Sequence, residues 1–445
     1  MESVWKWTTL AHVCQRWRAI ILASPRRLDL RVICGPRTPV KTSLDIWPTF
    51  PIAIIGFPSP TVNKKDEENI VAALAHRDRI SVLDIFDKVG NSLKKWVVAM
   101  QEPLSALVNL FLATFYEESP VVLPDAFLGG YAPRLRSLVL QGVAFPAFPK
   151  FVLHATQIVF LSLINIPDSW YTFVSPKAMA TCLAALPGLE SLCIMFLSPP
   201  LSPLRPSLPQ RMRSVLPALT SFRFKGVSEY LEGVIARIDA PHLDVLHMMF
   251  FMDLIFDIPQ LHKFIGRTGS PIPHNPAQVQ FSGDAVRIFL GSLTTSIWFE
   301  IKCEEPDWQL SSVTYLCNDH FSLLSQVEQL DICVTPSMEL AGKNEVDSSQ
   351  WLELFLPFSA VQNLYVSKML EPLVTAALGE LTRERTMEVL PALETLSLDE
   401  LEPSGSTHDN IESFIAARGL LDHPIVVLRE ERQSLPNTGF ASIFG

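Results

Sequence analysis

Few side chains in this 445-residue chain stand at spacings that chemistry would need. His242 and His247, with Asp244 between them, have the ligand types of a zinc site. His242, however, precedes the extended stretch that holds Asp244 and His247, and alternation along a strand sends these side chains in different directions. Cys14 with His12 has the types of a thiolate and its base, but residues two apart on a helix do not face each other. Gly129-Gly130 lacks the further glycines and the flanking helix of a phosphate-binding loop. No carboxylate pair and no Ser/His/Asp arrangement stands out. The expectation is therefore no catalytic residue, no metal and no cofactor, in a chain that acts by binding.

What such a chain needs is a surface, and the elements that build one repeat. An apolar spacing of the form Leu-x-x-Leu-x-Leu returns about every 28 residues. It stands at Ile80-Leu83-Ile85, Leu107-Leu110-Leu112, Leu135-Leu138-Leu140, Ile158-Leu161-Leu163 and Leu189-Leu192-Ile194. Further copies stand at Leu219-Phe222-Phe224, Leu243-Leu246-Met248, Val327-Leu330-Ile332, Val361-Leu364-Val366 and Leu393-Leu396-Leu398. About three periods separate Met248 from Ile332, and two degenerate strands, Val279-Gln280-Phe281 and Phe299-Glu300-Ile301, are expected there. Leu28-Asp29-Leu30 and Ile52-Ala53-Ile54 extend the series upstream. A fixed period of this length predicts an α/β solenoid of leucine-rich-repeat type, curved, with parallel strands on its concave face. Five copies share a lead-in proline two residues before the first apolar position (Pro133, Pro187, Pro217, Pro241 and Pro391), which ends a preceding helix and begins an extended segment.

Composition narrows the class. Hydrophobic residues make up 48 % of the chain, enough for a large core, and the repeat argues for one long array. The longest low-charge stretch, 151–166, is broken by polar residues and falls short of the roughly 20 apolar residues of a spanning helix, so no membrane association is expected. A basic-then-apolar leader is not seen at the start. Seven cysteines form no CxxC pair, and no Asn-x-Ser/Thr site is present. These features suggest a reducing compartment, cytoplasm or nucleus. A net charge of −10 argues against nucleic acid as a partner.

Residues 1–27 read as a helical segment, 28–402 as the repeat array, and 403–445 as a C-terminal capping helix with a tail. Helices are expected over 63–79, 176–186, 350–358, 373–389 and 410–421, and loops over 198–214, 268–276 and 335–349. Within each strand the leucine positions point inward. Their neighbours Phe111, Gln141, Met195, Arg223, Lys225, His247, Met249, Asp331, Tyr365 and Asp399 are expected on the concave side, as the surface for a target protein. Typical leucine-rich repeats place Asn or Cys three residues after the last leucine. Here Val143, Ile166, Leu197, Val227, Phe251, Met369 and Leu401 stand there, so a polar ladder is not expected.

The segment Val13-Cys14-Gln15-Arg16-Trp17-Arg18, followed by Ala19-Ile20-Ile21 and Ser24-Pro25, resembles the last helix of an F-box. With Trp5-x-Trp7-Thr8-Thr9-Leu10 before it and Asp307-Trp308-Gln309-Leu310 further on, the chain is similar to a fungal family of F-box/leucine-rich-repeat-like proteins. The resemblance implies a substrate-recognition subunit of a cullin-type SCF ubiquitin ligase. Leu10, Val13, Cys14, Trp17, Arg18 and Ile21 would then bind the Skp-type adaptor, with Trp17 as the anchor, and the adaptor would link the chain to a cullin. Only the second half of the box is present, since its usual Leu-Pro-x-Glu opening has no counterpart in the 12 residues before Val13. Read from the residues alone, the same helix is an apolar stripe that seals one end of the array, and the chain is an interaction scaffold without a ligase.

Overall fold

In a computed structural model, residues 13–23, 31–35, 40–46, 50–56, 64–88, 90–115, 120–201, 213–251, 258–268, 275–292, 294–303, 306–318, 323–335, 348–381, 385–399 and 405–429 are described. The chain is mixed α/β and divides into two compact units. One comprises Met1–Leu243 with Lys263–Gly269, the other Asp244–His262 with Ser270–Gly445. The division falls inside the seventh copy of the repeat.

Among its described residues the first unit carries a parallel sheet whose strands follow chain order. They are β1 (Val32–Cys34), β2 (Ile52–Gly56), β3 (Ile80–Phe86), β4 (Asn109–Ala113), β5 (Ser137–Gln141), β6 (Phe160–Ile166), β7 (Ser191–Phe196) and β8 (Ser221–Gly226). The repeat sets the register. Leu83, Leu110, Leu138, Leu161, Leu192 and Phe222 pair in one lateral row, and Ile85, Leu112, Leu140, Leu163, Ile194 and Phe224 in the next apolar one. All three apolar positions of all ten copies are buried, none more than 2 % exposed. The second and third positions of each copy, two residues apart, share by alternation the face that the helices cover. Ile52–Ile54 forms the core of β2 as expected, whereas Leu28–Leu30 lies outside the described residues.

The lead-in prolines do not all end a helix as expected. Pro187 follows the helix Pro176–Ala184, whereas Pro217 and Pro241 follow the two-residue strands Ser214–Val215 and Ile238–Asp239. What the five share is a turn. The carbonyls of Ala132, Leu186, Leu216, Ala240 and Leu390 accept hydrogen bonds of 3.0–3.3 Å from the N–H of Leu135, Leu189, Leu219, Leu243 and Leu393. Each proline is thus the second residue of a β-turn, where its fixed φ is already correct. Leu104–Leu107 and Phe358–Val361 close the same turn without proline, at 3.0 and 3.4 Å. Pro217→Ala should therefore lower stability by only about 0.5–1 kcal/mol, by loosening the unfolded chain, with the turn unchanged. A urea titration with an unaltered slope would show this.

Helices lie between strands at Val40–Ile46, Lys64–Leu74, Asn91–Ala99, Phe148–Val152, Pro176–Ala184 and Ser228–Ile235. Asp87, buried, accepts from the N–H groups of Ser92 and Leu93 at 2.8 and 2.9 Å and so holds an anion at the start of Asn91–Ala99. Ser175 caps Pro176–Ala184 by accepting from the Ala178 N–H at 3.2 Å, with Pro176 in the first turn. Aromatic packing fills the region where a polar ladder would run. Phe145 meets Phe127 and Phe151 at 5.6 and 5.4 Å, Phe148 meets Trp170 at 5.5 Å, and Tyr171 stacks on Phe196 at 4.0 Å. Tyr230 sits against Phe196 and donates its hydroxyl to the Val174 carbonyl at 2.9 Å. The backbone satisfies itself past the strand ends, with Thr114, Gly142 and Leu197 N–H donating to Gln141, Ile164 and Ile166 carbonyls at 2.9 Å each.

The second unit holds β9 (Val245–Phe250), β10 (Ala277–Phe281), β11 (Ala285–Gly291), β12 (Ser296–Lys302), β13 (Gln329–Val334), β14 (Asn363–Val366), β15 (Thr395–Leu398) and β16 (Val426–Arg429). Here the expectation of parallel strands throughout fails. Strand β11 is antiparallel to both neighbours, and the lateral order is β9, β12, β11, β10, β13. The two degenerate strands expected in the gap do exist as β10 and β12. They are the arms of a meander rather than successive repeats. Gly283-Asp284 makes the first reversal, closed by the Ser282 N–H on the Ala285 carbonyl at 2.9 Å. From β13 onward the sheet is parallel and again follows the repeat, with Ile332, Val366 and Leu398 in one row.

Helices Pro306–Asn318, Ser348–Phe355, Glu371–Gly379 and Gly405–Gly419 belong to this unit. The third is shorter than the span 373–389 expected for it, because the chain leaves the helix at Gly379. After the last helix, β16 pairs in parallel with β15, so the strand series runs past residue 402. Most of the three expected loops (202–212, 269–274 and 336–347) and the tail from 430 lie outside the described residues.

Candidate functional site

Two surfaces answer to the predicted binding residues. The first is the helix Gln15–Ala23. Its described side chains from Val13 to Ile20 are all exposed, with Val13 at 62 %, Trp17 at 49 % and Ile20 at 55 %. Spacing of three to four residues puts these three on one side. Cys14 and Arg18 are exposed as well, and Cys14 Sγ accepts from the Trp17 N–H at 3.4 Å. Leu10 and the Ile21 side chain lie outside the described residues. A helix that sealed the array would bury this stripe, and among the described residues nothing covers it.

The second surface is the sheet face opposite the helices. In the first unit one lateral row reads Asp84, Phe111, Val139, Ser162, Cys193, Arg223. Gln141 stands in the next row beside Ala113 and Ile164, and Met195 stands beside Lys225. Phe111, Gln141, Arg223 and Lys225 are half-buried, as residues on an open sheet face should be. Met195 is buried, so it offers little surface. The cause is local: the sheet register shifts between Leu163 and Ile166, where Asn165 adopts φ +49° and draws the chain out of line. Phe86 and Phe115 add an edge-on pair at 5.1 Å that the predicted set lacked.

In the second unit His247 pairs with Trp298 and Met249 with Glu300 across β9 and β12. The Trp298 ring lies 6.1 Å from both His247 and Phe289, and His247 is buried beside it. Arg287 donates to Glu300 at 3.0 Å, and Lys302 bridges Glu300 and Asp284 at 3.4 and 2.6 Å. The hydrogen bond from Lys302 holds the Asp284 carboxyl below the usual carboxylate range. Asp331, also predicted as surface, is buried in the row between Gln278 and Tyr365. Tyr365 donates its hydroxyl to Asp399 at 2.8 Å, and the Lys368 N–H reaches the same carboxylate at 3.0 Å. Tyr365 and Asp399 therefore form one unit. Trp298, Phe289 and Arg287 were missed because the meander was read as degenerate repeats, although each alternates with an inward apolar residue.

The histidine pair does not converge: His242 is exposed and His247 buried. Among the described residues no three His, Cys, Asp or Glu gather as a metal site. All seven cysteines are free, and burial pushes Cys34 up to about 11 and Cys182 to about 12, which keeps both as unreactive thiols. Among the described residues no helix is long and apolar enough to cross a membrane.

No family model matches this chain, and none of the curated proteins does. Among solved structures, the leucine-rich repeat-containing protein LegL7 from Legionella pneumophila is 11 % identical, with a TM-score of 0.26 over 86 % of this chain and 97 % of that one. That likeness is too slight to assign a fold.

Proposed function

We propose that the chain is a leucine-rich-repeat-like interaction protein that serves as the substrate-recognition subunit of a cullin-type SCF ubiquitin ligase. In this reading the strand array is a solenoid whose outward sheet face holds a target protein. The helix Gln15–Ala23 docks on a Skp-type adaptor. The observation that carries the second part is the stripe of Val13, Trp17 and Ile20, exposed among the described residues on a short helix that precedes the array in the chain. A half-exposed tryptophan among aliphatic residues is a typical anchor of a protein interface. The mechanism needs no catalytic group of this chain: it holds a target lysine near a separately bound conjugating enzyme. Its place of action would be the cytoplasm or nucleus.

The test is retention of a purified Skp-type adaptor on the immobilised full chain, beside a Val13→Asp/Trp17→Ala variant. Retention by the wild type and at least tenfold less by the variant is the expected result, a difference of about 1.4 kcal/mol or more. Equal retention, or none by a chain whose thermal unfolding is intact, would leave an interaction scaffold that has the sheet face and no ligase.

A further inference from the structure

The outward face of the first unit carries two charged groups that form no ion pair among the described residues. Asp84 on β3 and Arg223 on β8 stand at opposite ends of the lateral row described above. Both are half-buried, and neither has an ion pair or a side-chain hydrogen bond among the described residues. The Arg223 Nε is itself buried and unpartnered. Burial pushes the Asp84 carboxyl above the usual carboxylate range, as a carboxylate without a cation should behave. Between them the row is Phe111, Val139, Ser162 and Cys193, with the exposed Phe160 alongside. Half-buried charges without partners are costly, and a complementary partner would relieve both.

Six strands at about 4.8 Å spacing put the two charges roughly 24 Å apart, the length of a helix of about 16 residues. The backbone groups of these strands are used in the sheet, so a segment lying across their side chains must satisfy its own backbone. We propose that this face binds an amphipathic helix of the target laid across β3 to β8, apolar toward Phe111 and Val139, acidic at the end over Arg223 and basic at the end over Asp84. The proposal rests on the reading of this face as the target surface, and it adds the shape and polarity of the ligand.

The probe is a labelled synthetic helix of about 16 residues, leucine on one face, with two Glu at one end and two Lys at the other. A second peptide has Gln in place of all four. Fluorescence anisotropy with the full chain should show the charged peptide binding at least about fivefold tighter than the Gln peptide. Asp84→Lys or Arg223→Glu alone should remove that advantage. The double variant should restore it, because the peptide can turn end for end. Phe111→Glu should abolish binding of both peptides, with thermal unfolding as the check on folding. Equal affinity for the two peptides, both lost in Phe111→Glu, would overturn the polarity while keeping the face as a binding surface. No binding of either at about 100 µM would overturn both.

Discussion

Arg418→Met should destabilise the C-terminal end of the second unit by about 3 kcal/mol. Arg418 lies in the last turn of Gly405–Gly419 and is fully buried. Its guanidinium donates to the carbonyls of Pro391 and Leu393 at 3.0 Å each and approaches that of Thr386 at 3.5 Å and the Met387 sulfur at 3.1 Å. The Pro391 and Leu393 carbonyls belong to the turn that leads into β15, so one side chain ties the last helix to the last copy of the repeat. Methionine would fill much of the space and leave buried carbonyls without donors, each costing about 1–3 kcal/mol. Hydrogen exchange should report the change locally: amides of Val426–Arg429 and of the last helix should open far sooner, while those of β13 keep their protection. Unchanged exchange in β16 would mean that apolar packing, through Phe414 and Ile411, holds the helix alone.

Gly142→Ala should cost about as much in the first unit, roughly 3 kcal/mol. Gly142 follows β5 with φ +64°, and a Cβ there would stand 2.3 Å from the Thr114 carbonyl oxygen. That oxygen is backbone, and the same residue's N–H is bonded to the Gln141 carbonyl at 2.9 Å, so it cannot yield cheaply. The Gly142 N–H also donates to the Ile164 carbonyl at 2.9 Å, and a shift of the chain would weaken that bond. The left-handed backbone itself costs an L-residue about 1–2 kcal/mol, and the clash adds to it. Gly188→Ala is the control, since nothing lies within 4 Å of its Cβ position and it has no positive φ. It should stay within about 0.5 kcal/mol of wild type. A smaller loss for Gly142→Ala than for Gly188→Ala in urea unfolding would contradict this geometry.

The inward positions were legible in the sequence because a strand buried on one side must alternate, and Leu138-Val139-Leu140 cannot slip by one residue without turning its leucines to water. Counting periods misled at the gap between Met248 and Ile332. The span suits two further repeats, but Gly283-Asp284 between Val279-Gln280-Phe281 and Val286-Arg287-Ile288 is a hairpin signal, and it decides the direction of β11. Arg418 was not legible at all. An arginine near a helix end usually reaches solvent, and only the tertiary structure brings the carbonyls of Pro391 and Leu393 to it. The apolar residues in place of a polar ladder were legible. That Phe145 would meet Phe127, and Phe148 Trp170, was not, since those ring contacts form between successive repeats.

The binding residues divide in the same way. The stripe of Val13 and Trp17 is visible as spacing, but a stripe facing solvent and one sealing a core have the same sequence. Among the described residues both side chains are exposed. On the sheet face alternation predicted direction well and accessibility poorly. Met195, His247 and Asp331 point outward and are buried by the register shift and by neighbouring side chains.

The most direct measurement is hydrogen exchange of the full chain with and without a purified Skp-type adaptor. Adaptor binding through the N-terminal segment predicts slowed exchange confined to residues 10–23, with the strands unchanged. Protection elsewhere, or none at an adaptor concentration of about 100 µM, would contradict it.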